Sequence, residues 1–431
     1  MATQEADGHF PQNMWDDGKS YWSKVQLDET ALPILLAAEL HKANYLKKIF
    51  PFDFVKRGAG YILKNGPITE QDRWEEAHGL SCYTLAVTIA AFLAAADFLD
   101  EIKLKKEADY LRDAADWWNY SIENWLYVKN TSLARQIGVE GYYIRINPSC
   151  TVIEDPLKLD LTIANRPIGE NVYPAVNIVS IDALSLVRYG LRMADDPHIL
   201  NTIKVIDALL KTETPRGPVW HRYNEDGYGE KKDGSAFDGT GIGRGWPLLT
   251  GERAHYELEA QHHEEVLRLL RVMASMAGTG GLFPEQVWDQ ADIPEHVLFK
   301  GHSTGAAKPL VWAHAEYLSL LRSINDGKTF GMPTQTIERY LKKKNKPKVA
   351  LWQMKARFNE MPKGLKLRIQ LPEKAIIRFS HDAWNSYKEA EMNPNGFDEW
   401  YCDIEGGVEF TIYWVDRKEW QGENFSVRFY S

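Results

Sequence analysis

Three groups of residues in this chain bring carboxyl groups, arginine and flat aromatic rings together at short spacing. The first is Asp72-Arg73-Trp74-Glu75-Glu76. Its carboxyls are candidates for proton transfer, but Asp72 with Glu75 three residues on is also the spacing of a helix capping box, and acidic residues suit a helix N-terminus. The second is Gly281-Leu282-Phe283-Pro284-Glu285-Gln286-Val287-Trp288-Asp289. A carboxylate between a proline-fixed backbone and a tryptophan sits in a semi-rigid, partly apolar loop, a setting that tunes basicity; a plain surface turn is the alternative. The third runs Trp220-His221-Arg222-Tyr223-Asn224-Glu225-Asp226-Gly227-Tyr228-Gly229-Glu230 and on to Gly243-Arg244-Gly245-Trp246-Pro247 and Thr250-Gly251-Glu252-Arg253. Arginine and carboxylates among planar rings are what a pocket needs to hydrogen-bond several hydroxyls at fixed angles. A structural salt-bridge network uses the same residues.

The elements that must position these groups are helical up to about Ile324. Cys82, Leu85, Ile89, Phe92, Ala96 and Leu99 recur at steps of three and four, which predicts a helix over 72–99. Leu32, Leu36 and Leu40 form a similar stripe, as do Ile181 to Leu191, Ile199 to Leu210, Val266 to Met273 and Leu310 to Leu320. The stretches 130–174 and 215–252 lack helical periodicity and are rich in Gly, Pro, Asn and Asp; loops this long in a compact domain usually carry function. After Gly331 the pattern changes. A basic linker over 342–348 leads into short strand-like runs at 366–371, 375–379, 408–414 and 425–430, which predicts a separate antiparallel β-sandwich.

Composition narrows the classes. A chain of 431 residues with 44% hydrophobic and 26% charged residues is an ordinary globular protein. A formal net charge of −9 opposes a phosphate backbone, and no basic stripe interleaved with aromatics overrides it, so nucleic acid is not expected as a partner. Nor is a membrane, because no apolar run reaches the ~20 residues of a spanning helix. Cys82, Cys150 and Cys402 are too few and too scattered for a disulfide framework or metal cluster and read as buried thiols. His262-His263-Glu264-Glu265 lacks the second histidine at helical spacing that zinc requires, so neither metal nor cofactor is expected. Twelve per cent aromatic content suits sugar binding, since flat rings cover the apolar faces of sugars, but also suits a large core. Trp384, Trp414 and Trp420 pose the same choice in the β-region between a carbohydrate platform and core packing.

Taken together, the three motifs resemble glycoside hydrolase family 15, the glucoamylases and glucodextranases, over Asp7 to about Ile324 in collinear order. The resemblance implies an (α/α)6 toroid and an exo-acting, inverting hydrolase that releases β-D-glucose from the non-reducing ends of α-glucans or maltooligosaccharides. It implies Glu75 of Trp74-Glu75-Glu76 as general acid and Glu285 of Glu285-Gln286 as general base. Substrate-binding roles fall to Trp22, Gln26 and Asp28 in the loop before an early helix, to Trp74 and Glu76, to Arg222 with Asp226, and to Trp246. A capping box would lower the pKa of Glu75, whereas a general acid near neutral pH needs it raised.

The family's Trp-x-Arg-Asp motif, whose Arg and Asp grip the terminal glucose, has no counterpart here. Met1 to Gln4 reads as the tail of a helix already under way. Twelve helices close the family's toroid and nine or ten are legible, so the expectation is an incomplete (α/α)6 toroid over 1–328, a linker over 329–348 and a small β-sandwich over 349–431. Uncovered apolar faces should follow. A missing segment or chain is a possible partner, the alternative function is a catalytically impaired glucan-binding fragment, and the N-terminus carries no legible localisation signal.

Overall fold

The computed structural model describes residues 3–22, 24–46, 51–151 and 154–430. Met1, Ala2 and Ser431 lie outside these; Thr3 and Gln4, expected as the tail of a helix, are non-helical. The main helices are α1 (Leu27–Lys42), α2 (Phe52–Asn65), α3 (Cys82–Glu101), α4 (Lys105–Leu126), α5 (Ser132–Ile137), α6 (Ser185–Arg188, entered through a 3-10 turn at Ile181–Leu184), α7 (Pro197–Leu209), α8 (Pro247–Glu259), α9 (His263–Met276) and α10 (Val311–Asp326). They pack in series, α1 on α3, α3 on α6, α6 on α8 and α8 on α10, with α2, α4 and α9 flanking them.

Helix α3 is the hub. Its composition is apolar all round, as expected of a helix covered on every side, and it is long and apolar enough to cross a membrane by those criteria alone, contrary to the expectation that no run approaches that length; here 94% of its apolar window is buried inside the fold. Phe92 packs on Trp118 of α4 with ring centres 4.9 Å apart. The helix begins at Cys82, not Asp72. Between the two, Thr69 and Gly79 exchange backbone hydrogen bonds, and Leu80–Ser81 pairs with Ile146–Asn147, so the chain enters α3 from an extended segment. Asp72 and Glu75 therefore form no capping box.

Helix α1 corrects a second expectation. Ala31, Ile34 and Ala37 are its buried stripe, while Leu32 is exposed and Leu36 is 60% exposed. Val311 and Leu318 of α10 are likewise exposed. Cys82 and Cys402 are buried as expected, but Cys150 lies in an exposed loop.

The segment expected as a linker is partly helical. A short turn, α11 (Thr334–Thr336), runs into a wider π-type turn to Lys342. It is pinned by Arg339, whose Nε and Nη2 both donate to the Asp116 carboxylate of α4 at 2.6 Å, and by Gln335 on Asp97.

Beyond it, strands form two sheets. One runs Asn393–Pro394, Trp400–Glu405, Lys366–Leu371, Val349–Gln353 in spatial order; the other runs Glu360–Met361, Glu419–Phe429, Val408–Trp414, Ala375–Ser380, Lys388–Glu391. Alternation along Val408–Trp414, with Val408, Phe410, Ile412 and Trp414 buried, marks one inner and one outer face. Trp352 of the first sheet meets Phe410 and Phe425 of the second at 5.1 and 4.9 Å. The pairing is not wholly antiparallel: Val349–Gln353 runs parallel to Lys366–Leu371, and Glu360–Met361 parallel to Glu419–Phe429, because the chain crosses between sheets after each of these edge strands. The first sheet docks on α2 and α4. Gln353 Nε2 donates to the Leu63 carbonyl (2.8 Å), Arg368 Nη1 to Asp113 (2.9 Å) and Tyr110 Oη to Gln370 (2.6 Å).

Candidate active site

The loop after α2 presents Glu75. Its backbone N–H donates to the Asp72 carbonyl (2.9 Å), Asp72 Oδ1 accepts the N–H groups of Glu76 and Ala77 at 3.2 Å each, and Gln26 Nε2 donates to the Asp72 carbonyl at 2.8 Å. This braced turn holds Glu75 at φ +64°, a left-handed conformation that non-glycine residues adopt only where surroundings enforce it. Gly79 closes the loop at φ +143°, where a Cβ would lie 2.1 Å from the Asn147 carbonyl oxygen.

Charge locks the rest of the motif. Arg145, buried, donates from Nη2 to Asp72 (2.8 Å) and Glu76 (2.9 Å) and stacks 3.5 Å from the Tyr223 ring centre. Arg222 grips Asp226 with two bonds, 2.8 and 2.7 Å, and reaches Glu76 at 2.8 Å; the Tyr223 hydroxyl also donates to Glu76. Asp226 packs so closely on Gly243 that a Cβ there would sit 2.4 Å from its carboxyl carbon. Arg73 reaches across to Glu252 (2.7 and 3.0 Å) and Asp182 (2.9 Å). The salt-bridge reading of the third motif is thus realised, and the arginines remain available as cavity wall.

Glu285 arrives from the opposite side on the loop before α10. Its N–H donates to Ala307 O (2.8 Å) and that of Val287 to Gly245 O (2.9 Å). Gln286 joins three loops: its Oε1 accepts from Arg244 N (3.1 Å) and its Nε2 donates to Tyr228 O (3.0 Å). Glu285 is only 9% exposed. Burial raises its pKa, and the hydrogen bonds from Tyr228 and Gln286 with the nearby charge of Arg222 offset part of the rise. Tyr228 itself is pushed up to about 12, first by burial and then by the Glu285 carboxylate, with Glu75 adding a smaller push. Among the described residues, Oε1 of Glu285 has no hydrogen-bond partner.

Arg73, Trp74, Glu75, Glu76, Asn165, Arg222, Tyr228, Trp246, Glu285 and Trp312 line one open cavity of about 890 Å³. Trp74 meets Trp246 edge-on at 5.3 Å and Trp312 at 5.6 Å, and the Arg222 guanidinium lies 5.0 to 5.6 Å from the rings of Trp74, Tyr228 and Trp246. The wall offers stacked rings with hydrogen-bonding edges, and Glu75 and Glu285 face the same volume with Glu76 beside them.

Of the residues expected from sequence, the structure brings Glu75, Glu285, Trp74, Glu76, Arg222 and Trp246 to this cavity, with Asp226 behind Arg222. Gln26 and Asp28 stand behind the wall. Gln26 braces the Glu75 turn, and buried Asp28 accepts from Thr84 Oγ1 (3.0 Å), its pKa raised to about 6 by burial. Its neighbour Glu29 is pushed up to about 8 by burial and by the charges of Asp28 and Glu75. Trp22 is exposed, its ring 6.2 Å from that of Tyr21, and is not part of the lining. Arg73 and Tyr228, members of the first and third motifs with no individual role expected of them, also line the cavity, as does Trp312, which lies in none of the motifs. Tyr228 is an aromatic two residues past Asp226, and Trp312 is an apolar residue off the buried stripe of its helix, a mismatch visible in the sequence. His262 pairs with Glu257 at 2.6 Å.

The profile of Glycosyl hydrolases family 15 matches residues 6–322. A glucoamylase from Clostridium sp. (strain G0005) is 39% identical over 338 residues, covering 78% of this chain and 44% of that protein. The crystal structure of a bacterial glucoamylase complexed with acarbose superposes with a TM-score of 0.70 at 39% identity, over 79% of this chain and 47% of the other. A glucoamylase from Hypocrea jecorina, 12% identical with a TM-score of 0.50 over 95% of this chain and 79% of its own, shares the fold alone. This chain spans less than half the length of the first two relatives. With the match covering most of its length and both glutamate motifs facing one cavity, the chain belongs to glycosyl hydrolases family 15.

Proposed function

We infer that the chain is an exo-acting inverting glycoside hydrolase acting on the non-reducing ends of α-glucans or maltooligosaccharides, with a catalytic unit over 1–328, a linker over 329–348 and a β-domain over 349–431. Glu75 protonates the departing glycosidic oxygen while Glu285 takes a proton from the attacking water on the opposite ring face, and the product leaves as β-D-glucose. Inversion of this kind needs the two carboxyls ~6.5–9.5 Å apart, with room for the water. The observation that carries the reading is that Glu75 and Glu285 share one cavity with Arg222, Trp74 and Trp246. The two acids differ in setting: Glu75 is exposed on its turn, whereas Glu285 is buried and, among the described residues, keeps one oxygen without a hydrogen-bond partner with which to take a proton from water. Arg222, Trp74, Glu76 and Trp246 bind the sugar from the wall; Gln26, Asp28 and Asp226 position that wall.

Glu75→Gln and Glu285→Gln should each lower kcat at least ~10²-fold, and proton NMR of the first product should show the β-anomer. Initial α-glucose refutes inversion, and retained turnover in either variant refutes the assignment.

A second reading, glucan binding without turnover, is favoured by the apolar stripes of Leu32 and Leu36 on α1 and of Val311 and Leu318 on α10, which remain exposed. Such faces call for a further packing partner, and a toroid completed by one would hold the terminal sugar better. Glucose release from maltooligosaccharides by the chain alone separates the two readings.

A further inference from the structure

The outer face of the five-stranded sheet carries a second site. The inner face of these strands is filled by Ile377, Phe410, Ile412, Phe425 and Val427, so by alternation Arg378, Thr411 and Asn424 point outward. Register places them in one row: Arg378 opposite Thr411, and Thr411 opposite Asn424, with Glu389 next to Arg378 on the far strand. A polar row on a solvated sheet is ordinary. The rings around it are not. Tyr387 is 57% exposed and Trp420 is 42% exposed, and with Trp384 they surround the row and line an open groove of about 670 Å³.

These rings are held in place. The Arg378 guanidinium lies 4.3 Å from the Tyr387 ring centre and 4.6 Å from that of Trp420, which keeps the two rings no farther apart than the sum of those distances. Trp420 is backed by Tyr413 at 5.1 Å. Trp384 follows Ala383 in a loop where both adopt positive φ, +53° and +66°, a conformation kept only where surroundings enforce it. The enforcement is visible: Asp382 Oδ1 accepts from Ser380 Oγ (2.8 Å) and Ser386 N (2.9 Å), Asp382 Oδ2 from Ser386 Oγ (2.7 Å), and Trp384 N donates to Ser380 Oγ (2.9 Å). Among the described residues, the buried Trp384 indole Nε1 has no hydrogen-bond partner.

We propose that this groove binds an α-glucan chain away from the catalytic cavity, the sugar faces resting on Trp420, Tyr387 and Trp384 and the hydroxyls bonding to Asn424, Glu423 and Arg378. The polar complement favours a neutral polyhydroxyl ligand over other classes. Arg378 is already paired with Glu389 (2.9 and 2.6 Å) and Glu423 with Arg357, so the groove has no surplus of either sign with which to hold a polyanion or a charged peptide. The sheet that docks on the helices is the other one, so this face stays open. That the glucan is α-linked rests on the proposed function; that a sugar chain binds here does not.

The test uses the whole chain, depletion onto granular starch, and tryptophan fluorescence with β-cyclodextrin, a cyclic α-glucan with no chain end for an exo-acting cavity. Trp420→Ala and Tyr387→Ala should each weaken both kinds of binding at least tenfold, Trp420→Phe should restore most of it, and glucose release from maltotriose should stay unchanged. Both side chains are exposed, and unchanged circular dichroism and Tm confirm that folding is intact. Starch binding that survives Trp420→Ala but is lost in Arg222→Ala overturns the proposal, as does absence of any cyclodextrin binding while glucose release persists. Cyclodextrin bound through Trp420 in a chain that releases no glucose upholds the groove and refutes only the hydrolase. Binding of cellulose, a β-linked glucan, through the same rings, without starch, overturns the α-glucan identity, and capture of a protein ligand by this face in place of either glucan overturns the sugar.

Discussion

Tyr228→Phe separates the roles of the two glutamates with one atom. The phenol donates to the Glu285 carboxylate and lowers its pKa against the rise caused by burial. A hydrogen bond to an ionised group contributes about 1.5–3 kcal/mol, so its removal should disfavour the Glu285 carboxylate on that scale and raise its pKa further. If Glu285 is the base it must be ionised to work. The acid limb of the kcat/KM profile then moves to higher pH, while activity above the limb changes little and the basic limb stays in place. If Glu285 were instead the acid, its protonated form would be the active one and the basic limb would move up. The ring itself remains in the wall, so sugar stacking is preserved. A measurement independent of turnover is the titration of the Glu285 carboxyl carbon by 13C NMR, assigned by its loss in Glu285→Gln. An acid limb and a carboxyl titration both unmoved in Tyr228→Phe would refute the reasoning.

Three further outcomes follow from the geometry. Asp226→Ala leaves the buried Arg222 without its bidentate partner and should destabilise the fold by about 3–5 kcal/mol in urea unfolding; a loss below 1 kcal/mol would show that Glu76 alone suffices. Gly79→Ala forces a Cβ against the Asn147 carbonyl at positive φ, so it should cost at least ~2 kcal/mol and lower activity together with stability through displacement of the Glu75 turn. Burial raises the pKa of Glu399, in the β-region, to about 7. The folded state therefore holds a proton that the unfolded state has released, and the resulting stability is full below the unfolded value near 4.5 and lost as pH rises through 7. Glu399→Gln should remove this slope, on the order of 3 kcal/mol across that window, and a pH-stability curve parallel to wild type would contradict it.

The limits of the sequence reading have physical causes at particular residues. Asp72 and Glu75 stand at the spacing of a capping box, but an aspartate accepting from the N–H groups four and five residues on uses the same local signature without a helix. The start of α3 was hidden because the stripe of Cys82 to Leu99 describes a helix apolar on all sides, whose periodicity marks its axis and not its ends. Helix α1 carries two apolar stripes, and nothing local says that Ala31, Ile34 and Ala37 rather than Leu32 and Leu36 meet α3. The two glutamates were legible because each sits in a short, distinctive motif. Tyr228 was not, because its importance lies in a partner that only the packing of α8 and α10 brings beside it. The same holds for Trp22, which shares a motif with Gln26 yet lies outside the cavity that Gln26 helps to shape. Motif membership reports which residues travel together along the chain. Which of them touch a sugar depends on a wall assembled from the loop after α2, the loops before α8 and α10 and the start of α10, and Arg222 shows how exacting that wall is: its guanidinium must satisfy Asp226 and Glu76 and still present a flat face between Trp74 and Trp246. Arg222→Lys keeps the charge and loses the plane and the fork. It should therefore raise KM for maltooligosaccharides while shifting Tm by only a few degrees, and a variant with wild-type KM would show that the guanidinium serves the wall and not the sugar.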